Sequence, residues 1–297
     1  MTSARRRRGL GRRGEVRAAW LLLLPALVAL LLLRVVPLVS AGIDSLFAPV
    51  RGSLDTQFGL DNFTYLLTTS TTFLPSLGTT LALVLFTVAV QTVCSLAIAV
   101  LLSRRVFASG VLRTLIILPV AVPIAASTVI WGIAFRPDGP LNALLAVVGI
   151  PPQPFLTSSG QAPYVIVVIL SWIGVGYWML FLVSGINDIP GHLYEAAELD
   201  GAGGMRRFFS ITLPLLRRPL VFVIVANTVA NYLVFAPSQI LTQGGPSGST
   251  RVVMYDIFIQ AFTNGDRHLA AAEIVLSMAV LLVLVGIQFR VLGREDS

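Results

Sequence analysis

Residues 194–214 read YEAAELDGAGGMRRFFSITLP, and they set Glu195, Glu198, Asp200, Arg206 and Arg207 between two long apolar runs. Pro190 suits a first helical turn, and Ile189, Leu193, Ala196 and Ala197 recur at the spacing of one helical face, with His192, Glu195 and Glu198 elsewhere. Gly201, Gly203 and Gly204 end that helix, because glycine takes the left-handed conformation of a C-terminal cap or tight turn. A second short helix follows, with Met205, Phe208, Phe209 and Thr212 on one face and Arg206 and Arg207 on another, until Pro214 breaks it. The pattern predicts a helix-turn-helix lying flat at a membrane surface.

The solvent for the rest of the chain is lipid. Of 297 residues, 56% are apolar and 12% charged, against roughly 45–50% and about 25% in soluble domains. A bilayer core of about 30 Å takes a helix of about 20 apolar residues whose backbone satisfies itself. Six runs fit: 18–43, 77–103, 111–135, 162–186, 219–240 and 269–291. The expected fold is all-α, a polytopic membrane protein of six spans with both termini on one side. No internal repeat or separate soluble domain is visible.

Short loops on the cytoplasmic side carry the excess of positive charge. With the N-terminus inside, Arg5, Arg6, Arg7, Arg8, Arg12, Arg13 and Arg17, then Arg104, Arg105 and Arg113, then Arg206, Arg207, Arg217 and Arg218, then Arg290 and Arg294 all fall inside. Arg51, Arg136, Arg251 and Arg267 fall outside, and Arg34 lies within the first span. The chain thus divides into a basic cytoplasmic tail (1–17) and a transmembrane domain (18–297), with the opening stretch in a cytoplasmic loop, 187–218. The tail reads as a topology signal attracted to anionic headgroups rather than as a nucleic-acid arm. Its apolar continuation from Ala18 exceeds a typical signal-peptide core, which favours an uncleaved first span.

Whole classes of chemistry are excluded. Cys94 has no partner, and His192 and His268 fall on opposite sides in this topology, so neither a disulfide framework nor a metal-ligand spacing exists. All 21 basic residues are arginine. A Walker A loop needs a lysine on the nucleotide phosphates, so this chain holds no standard P-loop. A convergent nucleophile–base set is also missing, which disfavours a membrane enzyme. No catalytic residue and no metal site is assigned.

The opening stretch resembles the EAA loop of ABC-importer permeases, in which Glu-Ala-Ala, Asp-Gly-Ala and a Phe-x-x-Ile-x-Leu-Pro ending follow at fixed spacing. Tyr194, Glu195, Ala196, Ala197, Asp200, Gly201, Ala202, Phe208 or Phe209, Ile211, Leu213 and Pro214 hold those positions here. The approach to it, SWIGVGYWMLFLVSGINDIPGHL, resembles permeases of the carbohydrate-uptake branch through Trp172, Gly185, Ile186, Ile189 and Pro190, with Val183 and Ser184 replacing the more usual leucine and alanine. FGLDNF (58–63), LPVAVP (118–123), FRPDGPLN (135–142) and LTQGGP (241–246) also look like that branch, of the maltose and glycerophosphate type.

The resemblance implies a type I importer permease fold in a bacterial inner membrane, with the loop as a coupling helix seated on a cytoplasmic ATPase. It further implies a second, homologous permease as heterodimer partner, two copies of the ATPase holding ATP and magnesium, and an extracytoplasmic or lipid-anchored solute-binding protein. This chain itself would carry no cofactor. The substrate would be a sugar or polyol; a related branch carrying glycerol-3-phosphate, polyamines or anions is the alternative. From periodicity alone, an amphipathic hairpin dipping its phenylalanines into lipid remains open.

On span five, Asn227 and Asn231 share a helical face with Tyr232 beside them, as candidates to line a sugar path through amide and hydroxyl groups, or to bond between helices. Gln91 and Ser95, one turn apart, are expected to bond across helices, and Trp131 and Trp172 to anchor at the interface. Arg34 and Glu273 are expected to snorkel or to pair with a neighbouring chain. The outer segments 44–75 and 136–161 suit a docking surface, with a short helix across 139–150.

Overall fold

The computed structural model describes residues 12–49, 55–103 and 109–293. The first eleven residues of the basic tail, Arg51, Arg104, Arg105 and Arg294 lie outside them. In chain order the helices are α1 (Ala19–Asp44), α2 (Asp61–Thr68), α3 (Phe73–Ser103), α4 (Gly110–Ala121), α5 (Ile124–Ala134), α6 (Pro140–Val147), α7 (Ala162–Asn187), α8 (Gly191–Leu199), α9 (Gly204–Leu215), α10 (Arg217–Tyr232), α11 (Val253–Thr263) and α12 (Arg267–Leu292). A small antiparallel hairpin, β1 (Phe47–Pro49) with β2 (Thr56–Phe58), interrupts the outer segment after α1. Asn62 at the head of α2 donates to the Ser45 and Phe47 carbonyls at 3.1 and 2.9 Å, so this segment is folded rather than loose.

Four helices, α1, α3, α7 and α12, are long and apolar enough to cross a bilayer, and two bent pairs bring the number to six when each pair is one span. The run expected as the straight third span is broken: α4 and α5 meet at 97°. Pro119 and Pro123 lack N–H donors, and Val122, before Pro123, is extended at φ −89° and ψ 126°, as a residue preceding proline prefers. The fifth expected span is shorter than its apolar run, because α10 stops at Tyr232 and a separate turn, Ser238–Thr242, follows.

The core is built on α3 against α7, with α10 packed on both and α12 packed on α10. Two glycines allow this approach. A methyl at Gly174 would lie 2.5 Å from Gln91 Nε2, and one at Gly176 would run into the Ile116 carbonyl of α4. Leu182, Met179 and Trp178 of α7 then pack with Ala99 and Leu102 of α3 and Val223 of α10. By contrast α1 faces outward, with no residue of its most apolar window buried in this chain; only its last turns reach α12.

Two helices contain a wide i→i+5 turn just before a proline. In α1 Leu31–Val35 precedes Pro37, and in α9 Phe208–Thr212 precedes Pro214. Val36 N–H reaches Leu31 O and Leu213 N–H reaches Phe208 O. Widening the turn moves aside the carbonyl that the proline ring would strike, so the helix passes through the proline. Pro214 therefore does not break its helix as expected; the chain turns by 69° after Leu215.

Candidate functional site

Residues 187–218 form the helical hairpin expected from the sequence. Pro190, extended at φ −60° and ψ 127°, enters α8. Gly201 leaves it at φ +73°, the region that L-residues avoid. Ala202 N–H donates to Ala197 O at 2.8 Å and Gly201 N–H to Glu198 O at 3.0 Å, the paired bonds of a left-handed helix cap. Nothing else crowds Gly201, so backbone angle, not space, demands glycine there.

The two helices are tied to each other. The Tyr194 and Thr212 hydroxyls share a hydrogen bond of 2.9 Å, with Thr212 buried, and Glu198 pairs with Arg207 at 3.0 Å on the exposed side. Beneath them lies a cavity of about 520 Å3 between the hairpin and the ends of α3 and α7, lined by Val100, Ser103, Ile186, Tyr194, Arg207 and Phe208.

The face of α8 falls largely as expected, at Ile189, Leu193 and Ala197, and that of α9 does not. In α8 the inward side is Leu193, Tyr194 and Ala197, while Ala196 stands exposed with Glu195 and Asp200. In α9 Phe208, Ile211 and Thr212 turn inward, whereas Met205 and Phe209 are 72% and 58% exposed. The wide turn adds a residue to the period, so a 3.6-residue count over Met205–Thr212 assigns the wrong side. Ala202 and Leu213 are half-buried and Pro214 is exposed. Leu199, which the sequence reading passed over, is 90% exposed; it sits between the two acidic positions of the motif, and that placement was its only signal.

Inside the span region a second set of polar groups converges. Gln91 Nε2 donates to Leu170 O at 2.7 Å, while Gln91 Oε1 accepts from Trp178 Nε1 at 3.1 Å and Asn231 Nδ2 at 3.3 Å. One side chain thus joins α3, α7 and α10. Ser95 Oγ donates to Val175 O at 2.8 Å a turn further on. Asn231 Nδ2 also approaches Asn227 Oδ1 at 2.5 Å, and the Tyr232 hydroxyl donates to Ser277 O at 3.0 Å. Asn227, Asn231 and Tyr232 are all buried in this chain and bonded to neighbouring groups. Asn227 Nδ2 has no partner among the described residues.

A third cluster lies at the opposite end from the hairpin. Arg251 Nε donates to Asp256 Oδ1 at 2.7 Å, its Nη2 reaches the same oxygen, and Ser76 Oγ stands 3.5 Å from Asp256 Oδ2. Glu273 is fully buried nearby, with neither carboxylate oxygen partnered among the described residues. Glu273 therefore does not snorkel; α12 carries it into the packed interior. Arg34, in contrast, is exposed on α1. Trp131 and Trp172 meet edge to face at 5.6 Å. Asn142 pins the segment after α5 through the Arg136, Pro137 and Gln153 carbonyls.

Residues 91–295 match the family described as binding-protein-dependent transport system inner membrane component. The chain is 34% identical over 239 residues to the sn-glycerol-3-phosphate transport system permease protein UgpA of Agrobacterium fabrum, across 80% of this chain and 81% of that one. It is 30% identical over 282 residues to the trehalose/maltose transport system permease protein MalF of Thermococcus litoralis, across 94% and 95%. Among solved structures it superposes at TM-score 0.79 and 19% identity on a chain of a bacterial ABC transporter involved in the import of the acidic polysaccharide alginate, over 95% of this chain and 98% of the other. A complex of a bacterial alginate ABC transporter with a pentasaccharide-bound periplasmic protein gives 0.80 at 21% identity, over 93% and 95%. At such identities the structural likeness speaks for the fold.

Proposed function

The chain belongs to the family of binding-protein-dependent transport system inner membrane components, and we propose that within it this subunit imports a sugar or polyol under ATP hydrolysed by a partner. It is a multi-pass membrane permease, and its work is transport rather than catalysis. In the proposed assembly it crosses the membrane six times with both termini cytoplasmic. A homologous second permease completes the path, two ABC ATPases carrying ATP and magnesium sit beneath, and a solute-binding protein delivers from outside.

One observation carries the coupling role. The hairpin is fastened internally by Tyr194–Thr212 and Glu198–Arg207, yet turns Glu195, Ala196, Leu199, Asp200, Met205 and Phe209 outward. An amphipathic hairpin resting in lipid would turn out its apolar groups alone. Acidic and apolar groups presented together suit a groove with both cations and an apolar floor.

The substrate class follows relatives described as handling glycerol-3-phosphate and trehalose/maltose. Asn227, Asn231 and Tyr232 line the path only in a state where α10 has parted from α3 and α12, since here they bond within the chain. Asn231→Ala is expected to alter uptake more than assembly; loss of assembly alone would leave it a structural clamp.

Isolation of the chain in mild detergent should recover an ATPase and a second permease in fixed ratio, whereas recovery of the chain alone would sink the importer assembly. Glu195→Lys reverses one exposed charge. Thermal stability should stay within about 0.5 kcal/mol of the parent, as for exposed sites generally, while transport falls at least tenfold. Unchanged transport would remove Glu195 from the coupling surface.

A further inference from the structure

Apolar residues facing lipid are ordinary, so the bare flank of α1 says nothing by itself; Arg34 does. It is exposed and makes no hydrogen bond or ion pair among the described residues. At 1.5 Å per residue it lies about 22 Å from Ala19 and about 15 Å from Asp44, the two ends of α1. With about 30 Å of hydrocarbon centred on the helix, about 10 Å of it separates Arg34 from the nearer headgroups. Snorkelling in that direction runs against the helix, because a helical side chain leaves its Cα tilted toward the N-terminus. The headgroups on the N-terminal side are farther still. A guanidinium held at this depth needs an anion within the membrane.

Its own chain offers none. Only the last turns of α1 touch α12, and no residue of its most apolar window is buried. Among the described acids, Glu273 alone lies more than a turn inside a spanning helix, and it is fully buried. Asp256 of α11 is fully buried too, and already holds Arg251. A second copy of the chain would bring the same two covered carboxylates and leave both Arg34 side chains unpaired. Lipid phosphate lies out of reach. What remains is a different polypeptide with an acid on a spanning helix. We propose that α1 packs on the second, non-identical permease and that Arg34 pairs there with a carboxylate inside the bilayer. The proposal rests on the two-permease importer described above and gives its partner a chemical mark. A pair of identical chains would strand two charges, so Arg34 also selects the unlike partner.

The test uses the intact complex in mild detergent, with a photo-cross-linking benzoylphenylalanine in place of Leu30 or Leu38, exposed residues one turn either side of Arg34. The expected adduct joins α1 to a second polypeptide through a spanning peptide that contains Asp or Glu. An adduct with a second copy of this chain, with lipid alone or with a span lacking acids would overturn the proposal. Arg34→Leu is the companion variant. It makes α1 more apolar, so insertion is not at risk. Recovery of the second permease should nevertheless fall about tenfold or more, because the partner's carboxylate would be left desolvated and unpaired. Changing that carboxylate to its amide in the same complex should bring recovery back to within about twofold of the parent, the signature of a direct pair. Recovery unchanged by Arg34→Leu, or not restored by the second change, would remove the pairing. A parent complex without any second permease would sink the importer assembly and the pairing with it, whereas a parent complex that assembles and ignores Arg34→Leu sinks the pairing alone.

Discussion

The Gln91 clamp and the hairpin of residues 187–218 are both polar islands in an apolar chain, and they face opposite ways. Gln91 and Trp178 turn their side-chain bonds toward other helices of the same chain, and Asn231 bonds both to Gln91 and to Asn227 of its own helix. The hairpin closes on itself through Tyr194–Thr212 and Glu198–Arg207, and leaves Glu195, Leu199, Asp200 and Met205 outside. In a low-dielectric interior an unmade hydrogen bond is expensive, so buried polar groups fix which helices are neighbours. At a wet surface the same groups add little to the fold and remain available for a partner. Polar residues are therefore structural in one region and, under the proposed coupling role, open to a partner in the other, a division that mutation can break.

The largest effect should come from Gly176→Val. Its side chain would meet the Ile116 backbone, which has no rotamer to swing away, so the usual overpacking cost of about 1–3 kcal/mol is only a floor, and loss of the α4–α7 contact takes the total above the losses that follow. Folded yield and melting temperature in detergent should both drop; a normal melt would mean that α4 does not press on α7. Arg251→Gln comes next, because it leaves Asp256 buried without its cation, at about 3–5 kcal/mol when a buried pair loses one partner. Restoration by Asp256→Asn in the same chain would assign the loss to the stranded charge, and failure to restore would point to the loop geometry instead. Gln91→Leu removes the bond to the Leu170 carbonyl and orphans the Trp178 N–H, for about 1–3 kcal/mol, the cost of one buried group left unpaired. A stability loss below about 1 kcal/mol would break the contrast, since the interior would then behave like a surface.

Smallest is Glu198→Gln. The carboxylate is 72% exposed, and such pairs are worth about 0–1 kcal/mol. A melt shifted by more than that would show the hairpin to depend on its own ion pair, weakening the case that its charges serve a partner.

How far the sequence reveals this division depends on how local each signal is. Span length and the loop motif are local, so the positions of α3, α7 and α12 and of the hairpin are legible, whereas the bend of the third span, expected as one run over 111–135, is not, although Pro119 and Pro123 stand in a quoted motif. The direction of Asn227 and Asn231 is not, because it depends on Gln91 lying 140 positions before Asn231. Gly174 and Gly176 stand in a quoted motif, but what they admit, a glutamine amide and a backbone carbonyl, appears only when three helices are in place. Glu273 is hard to place for the same reason: an acid in a span suggests snorkelling or a neighbouring chain until α12 is seen packed on α11 with Glu273 buried near Asp256. The inward face of α9 is missed on different grounds, since a wide turn before Pro214 changes the helical period over a few residues.

The length of α10 bears on how thick the molecule is. Its 16 residues cover about 24 Å at 1.5 Å per residue, whereas the 26 residues of α7 cover about 39 Å. Hydrocarbon is about 30 Å deep, so at the far end of α10 the last few ångströms fall to residues 233–235, where helical bonding is interrupted. Backbone of that kind is tolerated at such depth only inside protein or beside water. Val234 is buried and Leu233 is not. Within this chain, then, α10 is about 15 Å shorter than α7, and the irregular backbone that completes it is covered by protein at Val234 and open at Leu233.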